Sequence, residues 1–211
     1  MIDSTLNKTI KGFWDLQHHS KRKASLSGCL YEETIKFLQV ADHIKAGCTV
    51  LEIGVGLGYV TKGFFENGVK VSAVDISEIG LERVKGFCEK VYNVTDVSKL
   101  PTDYFDVIIC HNVVQHVPTD LLIEELKEFM RSLKVGGVFA VEFVSSNLFS
   151  DNGKDPSYSD MQAGRLCRTP AFLESIFNRF GGKCKLVYAV DYRGKKTVSF
   201  LHNCYIFHVT K

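Results

Sequence analysis

Between Val50 and Gly58 the chain reads Val-Leu-Glu-Ile-Gly-Val-Gly-Leu-Gly, an apolar run that breaks at Gly54 into alternating glycines, with a helical pattern beginning near Tyr59. Glycines placed directly after a buried strand let backbone N–H groups approach a ligand, and the open amides of the helix that follows suit a carboxylate or a phosphate. The next apolar run, VKVSAVD, ends on Asp75, whose two carboxylate oxygens can take both hydroxyls of a ribose. A dinucleotide fingerprint needs a third glycine three positions after its second. That position holds Tyr59, which counts against nicotinamide and flavin cofactors.

A second group of reactive side chains follows the apolar run FDVIIC. His111 and His116, in Cys-His-Asn-Val-Val-Gln-His-Val, leave a core strand at the carboxyl edge where open α/β sheets bind ligands, and they are the best candidates for a general base. Arg165 and Arg168 flank Cys167; as a fork they suit a carboxylate or phosphate on a substrate, and as surface groups they suit a salt bridge. Near the front of the chain Trp14, His18, His19 and Tyr31 either line an aromatic substrate pocket or only glue the front segment to the core. The zinc-protease HExxH, the phosphate-loop lysine motif and the G-x-S-x-G elbow are absent, and the chain shows no metal-ligand spacing.

The elements that must hold these groups follow from periodicity. Leu30 to Ile44 reads as an amphipathic helix, whereas Phe13, Trp14 and the stretch from His18 to Ser27 are less regular, and residues 1–46 together read as a helical cap. From Cys48 onward short apolar runs alternate with helical segments, among them Glu78 to about Phe87 and Asp120 to Leu133, with a short strand from Val91 to Val94. Such alternation predicts an α/β fold with a mostly parallel sheet covered on both faces. Ser77 is placed to cap one helix, Gly68 to end another, and Gly136 with Gly137 to close the helix ending near Leu133. The polar segment 145–168 is long for a passive connection and reads as a lid. Thr169 and Pro170 open a further helix, and strands are expected over Lys185 to Tyr192 and Asn203 to Val209, joined by the hairpin-like RGKK.

A length of 211 residues with 45% hydrophobic content fits one domain, 1–211, whose core needs neither metal nor disulfide. The net charge of +2 without basic runs gives no electrostatic footprint for nucleic acid. Seven cysteines form an odd set without a CxxC pair and read as buried thiols in a reducing compartment. No apolar run reaches the length of a membrane span, and the first residues lack the apolar stretch of a secretion signal, so the cytoplasm is the expected location.

Taken in order, EIGVGLG, VDIS, NVTDVSKLP, FDVIICHNVVQHV and SLKVGGVFAVEF resemble the landmarks of the class I S-adenosylmethionine-dependent methyltransferases, in their small-molecule branch, over residues 47–145. The resemblance implies a Rossmann-like seven-stranded sheet, mostly parallel, with an antiparallel last strand. It implies S-adenosyl-L-methionine as methyl donor. Gly54, Gly56 and Gly58 then line its amino-acid portion, the backbone near Glu52 holds its ammonium, Asp75 meets the ribose, and Ile76 beside it also contacts the cofactor. Asp96 accepts from the adenine amine, the Val97 amide meets the ring, and His111 borders the cofactor; the plainer reading of Asp96 is a solvated loop residue or a cap. His116 matches a histidine that many small-molecule members carry near the methyl donor, which favours it over His111 as base, the alternative being a histidine that only shapes the pocket. Val135 stands where the family commonly has proline. The Pro-Pro-Tyr motif of many DNA and protein-glutamine methyltransferases is missing, its place reading HNVV. The expected function is methyl transfer to oxygen or nitrogen of a small polar molecule, with an RNA or protein-terminus acceptor, or a non-catalytic module, as alternatives.

Overall fold

Along the central strands apolar side chains point alternately to opposite faces, as the two-residue period of a strand requires. Leu51, Ile53, Ile108, Phe139 and Val141 belong to one core; Val50, Val71, Val107, Ile109 and Ala140 belong to the other. A sheet with two apolar faces must be covered twice, and helices do so. The computed structural model describes residues 4–19, 31–145, 168–190 and 203–211. The strands are β1 (Thr49–Ile53), β2 (Lys70–Asp75), β3 (Lys90–Asn93), β4 (Phe105–Cys110), β5 (Leu133–Ser145), β6 (Lys183–Val190) and β7 (Asn203–Thr210). They form one sheet in the order β3-β2-β1-β4-β5-β7-β6, with β7 antiparallel to both of its neighbours and the other pairs parallel.

The helices are α1 (Ser4–His19), α2 (Tyr31–Phe37), α3 (Tyr59–Glu66), α4 (Glu78–Val84), α5 (Thr119–Ser132) and α6 (Pro170–Arg179). On one face Phe129 of α5 and Phe177 of α6 meet Phe139 edge-on at 6.3 and 5.5 Å. On the other, Ile35 of α2 and Phe64 of α3 join Val50, Val71 and Ile109. The chain goes from β1 outward to β2 and β3, then returns to lay β4 on the other side of β1. That reversal leaves a crevice beyond the carboxyl ends of β1 and β4, the place where open α/β sheets bind ligands.

Several boundaries differ from the sequence expectation. The front segment contains a regular helix, α1, whose inward stripe is Ile10, Trp14 and His18 at four-residue spacing; a histidine within the stripe hid its period. Helix α2 stops at Phe37 because Gln39 turns left-handed at φ 55°, and a 3-10 turn, Ala41–His43, follows. Helix α4 ends at Val84, short of Phe87. Helix α5 ends at Ser132 with Leu133 already extended, so the glycine pair does not close it. Gly137 serves instead a close approach of strands: a Cβ there would lie 2.9 Å from the Asp106 carbonyl oxygen. Strand β6 starts at Lys183, and the RGKK turn and the 145–168 segment, apart from Ser145 and Arg168, lie outside the described residues. The cap at Thr169 is as expected, its hydroxyl accepting from the Phe172 amide at 3.2 Å, and Ser77 accepts from the Gly80 amide at 3.2 Å. Among the described residues no helix is long and apolar enough to cross a membrane, and Cys48, Cys88, Cys110, Cys184 and Cys204 are free thiols.

Candidate active site

One lip of the crevice is the turn that leaves β1. Gly54 takes φ 78° and stands so close to Val113 that a Cβ would come within 2.2 Å of a Val113 methyl, so neither its backbone nor its surroundings admit a side chain. Gly56 also has positive φ, but among the described residues no atom beyond its chain neighbours lies within 4 Å of where its Cβ would be; this part of the turn is open to a ligand. Gly58, left-handed as well, caps α3. Below the turn, the Glu52 carboxylate accepts from the Thr61 hydroxyl at 2.6 Å and thereby ties the end of β1 to the first turn of α3. Burial pushes the Glu52 carboxyl up to about 8; nearby Asp75 adds to the rise and Thr61 opposes it.

Asp75 stands where β2 ends, 7% exposed. Its Oδ2 accepts from the Val55 amide at 2.9 Å and its Oδ1 from the Ser77 amide at 2.8 Å, so this carboxylate holds the glycine turn and the start of α4 together. Burial raises its proton affinity, and the amides of Ser77, Val55 and Gly56, with His18, pull the other way. A carboxylate has about four acceptor positions, so lone pairs remain for ligand hydroxyls. Farther along, Asn93 links the Ile76 segment to the one predicted to hold the adenine: its Nδ2 donates to the Ile76 carbonyl at 3.3 Å and its Oδ1 accepts from the Thr95 amide at 3.1 Å. Asp96 and Val97 lie in the 3-10 turn Val94–Lys99 that Asn93 caps. Asp96 is paired with Lys99 at 2.7 Å, an exposed ion pair of the kind that yields readily to another partner.

The opposite lip is the segment after β4. His111 Nε2 is 4.0 Å from Glu142 Oε2, and the same oxygen accepts from the Asn112 amide at 2.6 Å. Glu142 is 4% exposed on β5, and its other oxygen accepts from the Cys204 thiol at 3.3 Å. This acid thus fixes Asn112, a non-glycine residue at φ 58°, and faces His111. Burial lowers the proton affinity of His111, and Glu142 opposes that shift. Phe37 of α2 covers the His111 ring at 5.5 Å. His116, one turn on, meets the edge of Trp14 of α1 at 4.9 Å.

Helix α1 therefore lies across the crevice. Trp14 touches the β4 lip, while on the β2 lip Asp15 accepts from the Ser77 hydroxyl at 2.6 Å and Arg83 donates to the His18 carbonyl at 3.0 Å. The structure brings Glu52, the three glycines, Asp75, His111, His116 and Trp14 around one cleft and places Tyr31 elsewhere. Tyr31 packs on Phe64 at 5.2 Å and against Gly63, joining α2 to α3. Arg168 is 2% exposed and donates to the Val114 and Val117 carbonyls at 2.7 and 2.5 Å, so its guanidinium braces the turn that carries His116. Arg165 lies outside the described residues. Glu142, Thr61 and Asn93 escaped the sequence reading. Glu142 had a visible signal, a lone acid inside the apolar run GGVFAVEFV.

Residues 51–141 match a family model described as a methyltransferase domain. Phosphoethanolamine N-methyltransferase 2 of Caenorhabditis elegans is 27% identical over 143 residues, 63% of this chain and 32% of its own length. The mitochondrial ubiquinone biosynthesis O-methyltransferase of Schizosaccharomyces pombe is 30% identical over 117 residues, 50% of this chain and 41% of its own length. The chain thus spans less than half the length of these two relatives. In fold it is similar to Haemonchus contortus phosphoethanolamine N-methyltransferase 2, solved with S-adenosyl-L-methionine: TM-score 0.64 at 17% identity, over 85% of this chain and 52% of that one.

Proposed function

We propose that this chain, whose residues 51–141 match a methyltransferase-domain family model, is an enzyme that transfers a methyl group from S-adenosyl-L-methionine to oxygen or nitrogen of a small polar acceptor. The observation that carries the reading is the crevice itself: an open glycine turn and a ribose-type acid on one lip face two histidines on the other. The cofactor fits the residues present, because Gly56 leaves its side of the turn free and Asp75, with about four acceptor positions, keeps capacity beyond its backbone amide partners. Gly54, Gly56 and Gly58 would hold its amino-acid end, Asp75 and Ile76 its ribose, and Asp96 and Val97 its adenine. Bound there, it supplies an electrophilic methyl on a sulfonium, whose sulfur keeps the bond's electron pair and leaves as a neutral thioether.

The chain's own part is alignment and proton removal. An acceptor lone pair must meet the methyl carbon in line with the sulfur, so the two lips work chiefly by position. His116 takes the acceptor proton, and α1 over the cleft keeps water from competing. The free thiols fit a reducing compartment such as the cytosol.

The test is methyl transfer from methyl-labelled S-adenosylmethionine to a panel of phenols, amines and carboxylic acids. His116→Gln should lower the chemical step by about 10²- to 10⁴-fold while leaving S-adenosylhomocysteine affinity nearly unchanged. Equal rates in the two proteins would reduce His116 to a wall of the pocket.

A further inference from the structure

His111 has two ring nitrogens, and the turn that begins with it engages only one. Nε2 stands 3.3 Å from Nδ2 of Asn112, while Asn112 Oδ1 accepts from Nε2 of Gln115 at 3.2 Å. With its oxygen turned to Gln115, Asn112 offers His111 a donor, so His111 Nε2 accepts. Glu142 lies 4.0 Å from the same nitrogen, beyond hydrogen-bond distance, and does not hold a proton on it. A neutral ring that accepts at Nε2 carries its proton on Nδ1. Burial favours that neutral form, with Glu142 opposing. Among the described residues nothing hydrogen-bonds Nδ1, nor is it one of the unpaired polar atoms sealed from solvent, and the side chain is 18% exposed. Ile53 of β1 pairs with Cys110 of β4, so Gly54 and His111 leave the sheet side by side, at the glycine turn. An N–H donor therefore stands on the acceptor lip, next to the open turn.

We infer that His111 holds the acceptor atom through Nδ1–H and that the acceptor is a hydroxyl compound, an alcohol or a phenol, rather than an amine. The inference deepens, and rests on, the reading of this cleft as a methyl-transfer site with His116 as base. A hydroxyl oxygen has two lone pairs and one proton. One lone pair accepts from His111, the other attacks the methyl carbon, and the proton passes to His116. The O–C bond forms as the C–S bond breaks, with the electron pair going to sulfur. A neutral amine has a single lone pair, and a donor that engages it occupies the electrons that must attack. A carboxylate has lone pairs to spare but no proton for His116. Both histidines belong to one turn, in which the His116 amide donates to the Val113 carbonyl at 2.8 Å and Glu142 fixes Asn112. Their spacing is thus set before the acceptor arrives.

The experiment has two arms on the whole chain. Long-range proton–nitrogen NMR of isotope-labelled histidine, with the His111 signals assigned by their loss in His111→Phe, reads the tautomer; the proton should reside on Nδ1. Initial rates of methyl transfer are then compared for hydroxyl compounds and for amines of the same carbon skeletons, in the native protein, His111→Phe and His111→Gln. The native protein should prefer the hydroxyl compounds. Phe should lower their kcat/KM about tenfold, as the loss of one hydrogen bond implies, and hardly change transfer to amines. Gln, whose amide still donates, should restore part of the loss. A proton on Nε2, preferred transfer to amines, no transfer to any hydroxyl compound, or equal hydroxyl rates in the native and Phe proteins would each overturn the inference, and S-adenosylhomocysteine binding by the native protein would leave the cofactor reading standing. Absence of that binding would overturn both.

Discussion

Two buried carboxyl groups mark the site at the residue scale, and each invites a same-shaped amide substitution that cannot ionise. Glu142→Gln keeps an oxygen to accept from the Asn112 amide but takes away the charge that faces His111. Burial already holds the His111 ionisation down, with Glu142 opposing, so the variant should ionise at still lower pH. Titration of the His111 ring by NMR reads this directly, and a coincident curve in the variant would remove Glu142 from the electrostatics of the site. Glu52 is the stability counterpart. Its folded value of about 8 lies above the unfolded value of about 4.5, so the native state binds the proton more tightly. Its contribution is therefore intact below pH ~4.5, erodes as pH rises at up to about 1.4 kcal/mol per pH unit, and is lost above pH ~8. Against Glu52→Gln, which cannot ionise, the native protein should lose relative stability across that window in thermal or urea unfolding. Parallel curves would mean that Glu52 is ionised in the fold.

At the scale of elements, the turn from His111 to Thr119 is gripped from both ends, by Glu142 of β5 and by Arg168 ahead of α6. Removing the guanidinium takes the Val117 carbonyl's bond away and leaves the Val114 carbonyl with only the long 3.4 Å bond from the Val117 amide. Arg168→Ala should then cost roughly 1.5–3 kcal/mol, seen as a melting temperature lower by roughly 3–12 °C, and should lower kcat for neutral and anionic acceptors alike. A defect confined to the KM of anionic acceptors would return Arg168 to ligand binding. The sequence displayed this arginine next to a helix cap but not its direction, because a side chain pointing into the body is indistinguishable in one dimension from one pointing out. The same limit applies to Tyr31, whose aromatic character suits a pocket and an interhelical contact equally. The bounds of helix α1, within the helical cap expected over 1–46, were not legible for a different reason: its buried stripe contains His18, a residue whose polar character masks the period. By contrast, Thr169-Pro170 and Ser77 were legible as caps because capping is local chemistry.

For the whole molecule, the alternation of strands and helices from Cys48 onward was enough to predict the parallel sheet, since crossover connections put helices on both faces. The antiparallel direction of β7 was expected from the family resemblance, but its position between β5 and β6 was not foreseen, because long-range strand order leaves no local trace. That order matters for function: it seats Cys204 of β7 on Glu142 and so links the last strand to the His111 lip. The reversal at β1 places the Gly54–Gly58 turn and His111 on facing lips although more than fifty residues of chain separate them. The central claim is that this crevice binds S-adenosylmethionine, and calorimetric titration with S-adenosylhomocysteine tests it most directly. The account predicts a one-site isotherm for the native chain and an affinity at least about tenfold weaker in Asp75→Ala, which loses the ribose partner and the anchor of the Val55 amide together. No heat and no thermal shift at millimolar ligand, or equal affinity in the two proteins, would contradict it.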